Sequence, residues 1–121
     1  MLSYKLMGAG IQGLAVIAIG KDTASGISAA GTTQGTATTL TNSFNQVTTV
    51  GAGSGVVLDS SGSAGDSQLV YNAGLNPLKV YPASGSSINA LTVNSPVILP
   101  INTACQFHWL TDTSLTAILS R

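Results

Sequence analysis

The residues able to do chemistry are few, and their spacing decides what each set can support. Gly8-Ala9-Gly10-Ile11-Gln12-Gly13 matches the G-x-G-x-x-G fingerprint, whose glycines let the backbone approach a pyrophosphate at a helix N-terminus. Its surroundings fail the test. The apolar segment that follows meets Gly20 within seven residues, too soon for a crossover helix, and Asp22 lies only fourteen residues past Gly8. The ribose-binding acid is expected about twenty residues on. Gly51-Ala52-Gly53-Ser54-Gly55 lacks the GK[ST] ending of a phosphate loop and reads as a turn.

Cys105 and His108 have C-x-x-H spacing, but a structural zinc takes four ligands, and the chain holds one Cys, one His, four Asp and no Glu. On a strand an i,i+3 pair also points to opposite faces. A Ser-His-Asp triad would have to use His108, with Asp112 too near in sequence to orient it. Asp59 and Asp66 share one Gly/Ser loop at a spacing that matches no EF-hand. No catalytic, cofactor-binding or metal-binding residue is therefore expected, no cofactor, and no enzymatic activity. Tyr4, Phe44, Tyr71, Tyr81, His108 and Trp109 could line a sugar-stacking face, although rings dispersed in this way more often fill cores and interfaces.

The elements that carry these residues read as strands. Leu2, Tyr4 and Leu6 alternate with Ser3 and Lys5, and Ile11–Ile19 is apolar on both faces. Nine residues cannot cross about 30 Å of hydrocarbon as a helix. Gly8, Gln12 and Gly13 dilute the same stretch as a signal-peptide core. Residues 23–43 form a Thr/Ser/Gly/Ala tract suited to extended chain or edge strands. Short apolar runs then alternate with turn clusters: Gln46–Val50, Val56–Leu58, Gln68–Asn72, Leu78–Tyr81, Ile88–Val93, Val97–Leu99, Ala104–Thr111 and Leu115–Leu119. On Ala104–Thr111, alternation puts Cys105, Phe107 and Trp109 on one core-facing stripe.

No window past the N-terminal run keeps a 3.6-residue period, and strands at this spacing predict an all-β fold. The expected form is a compact antiparallel β-sandwich, jelly roll or small barrel with an extended N-terminal arm. Two segments follow: 1–22 as arm or first strands, and 23–121 as a single β-domain.

Composition bounds the function. The chain has 121 residues, a net charge of zero, 44% hydrophobic residues and 7% charged ones, against about 25% charged in typical domains. Four scattered Lys/Arg cannot build a nucleic-acid patch, and the unpaired Cys105 rules out an internal disulfide. A free monomer usually protects its surface with charge. A surface of hydroxyls, glycine and apolar groups tolerates contact with copies of itself, so membership of an assembly is expected.

A resemblance supports the same direction. Thr32-Thr33-Gln34-Gly35-Thr36-Ala37-Thr38 and Asn45-Gln46-Val47-Thr48-Thr49-Val50 are followed by Gln68–Gly85, with Tyr71-Asn72-Ala73-Gly74 and Val80-Tyr81-Pro82-Ala83-Ser84-Gly85 at its heart. With Ile88-Asn89-Ala90-Leu91 and the aromatic strand Gln106-Phe107-His108-Trp109, this resembles the small Thr/Ala/Gly-rich virion structural proteins of tailed bacteriophages over about residues 29–119.

That resemblance implies a capsid decoration (cement) protein on the virion surface. Its partners would be itself, as a homotrimer, and the major capsid protein, with no nucleic acid, membrane or small-molecule substrate. The alternatives are a short head- or tail-fibre subunit binding a host glycan, and a secreted β-sandwich binding module. Within the arm, Tyr4, Leu6, Leu14, Val16, Ile17 and Ile19 are the expected protein-interface residues, an apolar strand able to add to an exposed sheet edge.

Overall fold

The structure, a computed structural model, describes residues 22–120. The six arm residues assigned to the interface, Tyr4, Leu6, Leu14, Val16, Ile17 and Ile19, and the fingerprint at Gly8–Gly13 lie outside the described residues. The described chain is all-β. Its strands are β1 (Thr23–Ser28), β2 (Thr38–Thr39), β3 (Phe44–Thr49), β4 (Gly55–Val57), β5 (Ser67–Asn72), β6 (Leu78–Tyr81), β7 (Ser87–Ile88), β8 (Val97–Leu99), β9 (Ala104–Thr111) and β10 (Ser114–Leu119). A single 3-10 turn, Gln34–Thr36, interrupts the segment between β1 and β2.

Pairing is where the expectation needs correction. A six-stranded sheet runs β1-β3-β5-β9-β10-β7, and a four-stranded sheet runs β2-β4-β6-β8. From β1 to β6 the chain therefore visits the two sheets alternately, and each strand pairs in parallel with the one two places on. Thr23 lies opposite Phe44 and Phe44 opposite Leu69, so successive turns take 21 and 25 residues. In the other sheet Thr38 faces Val56 and Val56 faces Val80, turns of 18 and 24 residues. This is a solenoid-like winding of three coils, not a compact antiparallel sandwich, jelly roll or closed barrel. Both sheets are open at their ends.

Antiparallel pairing enters after the third coil. β9 pairs with β5, β8 with β6, and β10 with β9. The expected hairpin of β9 and β10 is present, turning at Asp112-Thr113. These strands close the last coil, as a stack of repeats requires at its ends. The Thr-rich tract supplies β1 and β2, which are edge strands. On β1, Gly26 takes φ +70° and the register to β3 slips, a bulge that blunts the open edge.

The core lies between the two sheets. Val47, Val70, Cys105, Phe107, Trp109 and Leu115 from one sheet meet Val56, Leu78, Val80 and Leu99 from the other, all buried. The stripe of Cys105, Phe107 and Trp109 is inward, as alternation requires. Three amides are buried with them. Gln68 donates to the Leu40 and Asn42 carbonyls (3.2 and 3.0 Å) and accepts from the Asp59 N–H (3.0 Å). Asn45 donates to the Asn42 and Leu69 carbonyls (2.7 and 3.2 Å). Asn72 donates to the Asn76 and Leu99 carbonyls (2.9 and 3.0 Å).

A winding chain leaves backbone carbonyls at each corner, and a buried one without a partner costs free energy. These amides satisfy the corners and tie neighbouring coils together. Asn45 Oδ1 has no hydrogen-bond partner.

Candidate interaction face

The chemical candidates separate once the strands are placed. Gly51–Gly55 leads from β3 into β4, where the Ser54 N–H and hydroxyl both donate to the Gly51 carbonyl (3.0 and 2.7 Å). It is a closed turn. Cys105 is buried and His108 points to the other side of the same strand. Desolvation pushes the Cys105 thiol up to about 11, only partly offset by its hydrogen bond with the Ile118 backbone. Among the described residues no three His, Cys, Asp or Glu side chains gather where they could hold a metal ion. No helix there is long and apolar enough to cross a membrane.

Asp59 and Asp66 do approach one another, across an open cleft of about 200 Å³ that Asp22 also lines, with Trp109 at its base. Each carboxylate is engaged by its own turn. Asp59 accepts from the N–H (2.9 Å) and hydroxyl (2.8 Å) of Ser61, and Asp66 from the N–H of Ser63 (2.9 Å). Asp22 accepts from the Ser43 hydroxyl (2.6 Å), the Asn42 amide (2.8 Å) and the Ser43 N–H (3.1 Å). The Ser43 hydroxyl bond leads in holding its carboxyl below the usual range, against some desolvation.

These bonds fasten turns, and no nucleophile stands beside a base. Asp22 gave no signal as a site residue in the sequence. Its partners lie one coil ahead, and only the winding brings them together. Asp22, Asp59 and Asp66 stand where β1, β3 and β5 begin, and Asp112 occupies the β9–β10 turn at that same end. All four acids of the chain thus share one rim.

The six rings of the sugar-stacking candidate divide. Tyr4 is outside the described residues. Tyr81 and Trp109 are buried, the Tyr81 hydroxyl donating to the Thr32 carbonyl at 3.1 Å. Phe44, Tyr71 and His108 remain on the outer face of the six-stranded sheet.

That outer face is the distinctive surface of the molecule. Register places Phe44, Leu69, Gln106 and Ile118 in one row across β3, β5, β9 and β10. Gln46, Tyr71 and Ala104 form the next row on one side, and Ser67, His108 and Thr116 on the other. Phe44 is 39% exposed, Leu110 56% and Ile118 60%. None of the six strands contains a Lys, Arg, Asp or Glu. A solvent-facing sheet normally alternates apolar-in with polar or charged-out, and an uncharged face with apolar rows marks an interaction surface.

The interface residues expected in the arm are not among these. The row was missed because its members belong to four strands, and side-chain alternation does not reveal which strands are neighbours. Comparison with protein-family models, curated proteins and solved structures returned no match.

Proposed function

We propose that the protein is a non-enzymatic structural subunit of a tailed-bacteriophage virion. In this reading it is a capsid decoration protein that seats the outer face of its six-stranded sheet on the major capsid protein and acts as a homotrimer. The observation that carries the reading is the row Phe44–Leu69–Gln106–Ile118 on a sheet without a formal charge. Such a face loses little by desolvation when another protein covers it, because it has no ion to strip of water.

The mechanism is mechanical. A subunit that binds the assembled shell and not its separated parts stabilises the shell by mass action. Three modest footprints on one trimer bind together far more tightly than one alone. The resemblance of residues 29–119 to small virion proteins supports the choice of partner.

The test is addition of the purified protein to undecorated capsids, with bound copies counted by particle imaging and co-sedimentation. Shell-wide density is expected, and Phe44→Lys with Ile118→Lys is expected to abolish it. Absence of wild-type binding would overturn the proposal. Deleting residues 1–20 in the same assay measures what the arm adds.

A second reading has its own observation. Phe44, Tyr71 and His108 share the outer face with the amides Gln46 and Gln106, a combination suited to stacking on and hydrogen-bonding a neutral glycan. A short head- or tail-fibre subunit would use it so, and its density would be confined to a vertex or the tail.

A further inference from the structure

The turn between β5 and β6 is unusually well fastened for a surface loop. The Gly74 N–H donates to Asn72 Oδ1 (2.9 Å), and Asn72 Nδ2 donates to the Asn76 carbonyl (2.9 Å). Asn76 Nδ2 reaches across to the Val50 carbonyl (2.8 Å), and the Ala73 N–H to the Val47 carbonyl (2.8 Å). Gly74 lies so close to Val50 that a Cβ there would overlap its side chain.

On this fixed scaffold Leu75 stands 86% exposed, the highest value among the exposed large hydrophobic residues. Beside it opens a groove of about 290 Å³ lined by Thr48, Thr49, Val50, Gly51, Leu75 and Asn76. An isolated exposed leucine is ordinary. A leucine immobilised next to an uncharged groove large enough to take another one is a different case.

We infer that Leu75 is the anchor of self-association, each copy's Leu75 entering the groove of the next copy around a common axis. The inference rests on the homotrimer reading and names its contact. The occupant is a second copy of this chain for three reasons. The groove offers threonine methyls, a valine and an amide, the chemistry of a leucine pocket, with no charge to hold an ion. Knob and groove are side by side, so copies arranged about an axis fill one another's grooves, and a head-to-tail contact of this kind closes into a ring. The groove lies where β3 and β5 end, whereas all four carboxylates lie at the opposite end, so copies meeting there bring no negative charges together.

Light scattering across a concentration series tests it. Wild type is expected to be trimeric, and Leu75→Asp to dissociate at least tenfold more readily. The melting temperature of the variant should be unchanged, since an exposed side chain gives up no internal packing. Thr48→Trp, which fills the groove, should act like Leu75→Asp, and Ile98→Asp on the four-stranded sheet should leave the trimer intact. A Leu75→Asp protein that assembles like wild type, or a wild type that stays monomeric, overturns the inference. A monomer that still coats capsids would leave the decoration reading standing, while a Leu75-dependent trimer that ignores capsids would sink that reading alone.

Discussion

Gly62 lies against the indole of Trp109 so closely that no Cβ fits between them: one built at residue 62 would fall within bonding range of ring atoms. The loop from Asp59 to Asp66 is thereby drawn down over the ring, and the backbone of Gly65 and Asp66 pairs with that of Trp109 at 2.9 Å in both directions. Trp109 is a buried core residue of β9, so this contact ties the acidic rim to the core.

Replacing Gly62 with alanine must therefore displace either the loop or the indole. The expected cost is that of overpacking, about 1–3 kcal/mol. Urea denaturation should show a lowered midpoint with an unchanged slope, and Trp109 fluorescence should report a changed environment in the folded state. Stability equal to wild type would mean that the loop yields freely.

Asn72 is the second control point. It is fully buried and joins the β5–β6 turn to the Leu99 carbonyl of the neighbouring sheet. Asn72→Ala strands two carbonyls and one N–H, and each unsatisfied buried group costs about 1–3 kcal/mol. With some water entry a loss of about 3 kcal/mol is expected. Hydrogen exchange should show Gly74 unprotected first. The trimer should weaken too, because Leu75 loses its fixed direction.

Much of this architecture is written in alternation, and its omissions have a physical origin. The runs Leu78–Tyr81, Val97–Leu99 and Ala104–Thr111 coincide with β6, β8 and β9, because each alternates one covered face with one open face. Ile88–Val93 fails as a strand. Only Ser87–Ile88 pairs, and Asn89 and Asn94 then take left-handed φ of 54° and 70°, a conformation asparagine tolerates better than most residues. The winding is not legible at all. A strand's period tells which side faces the core and says nothing of which strand lies beside it. Unequal turns of 18 to 25 residues also leave no fixed repeat to detect. The interaction row across four strands was hidden for the same reason.

Cys105 gives a prediction at alkaline pH. Its buried thiol titrates at about 11, above the ordinary cysteine range, because burial penalises the thiolate. The unfolded chain therefore loses this proton first as pH rises, and the native state loses stability between the ordinary thiol value and about 11. Cys105→Ala should show a flatter decline than wild type over that window, although it is less stable at neutral pH for lost packing. Thiol reagents at pH 8 should label the native protein far more slowly than the urea-unfolded chain, and equal rates would contradict the burial.

Asp22 gives the opposite dependence at acid pH. Its carboxyl is held below the usual range, chiefly by the Ser43 hydroxyl. A depressed value means that the native state favours the ionised form. The stabilisation is complete above the unfolded carboxyl value of about 3.9 and disappears as pH falls through the lower native one. Asp22→Asn places an amide among the Ser43 and Asn42 donors and should destabilise the protein at pH 7, loosening the junction of β1 with the Asn42–Ser43 corner. Denaturation of both proteins along a descending pH series checks this: the gap between them should hold down to about pH 5 and narrow steadily below it. A gap independent of pH would show that the side chain acts through shape rather than through its charge.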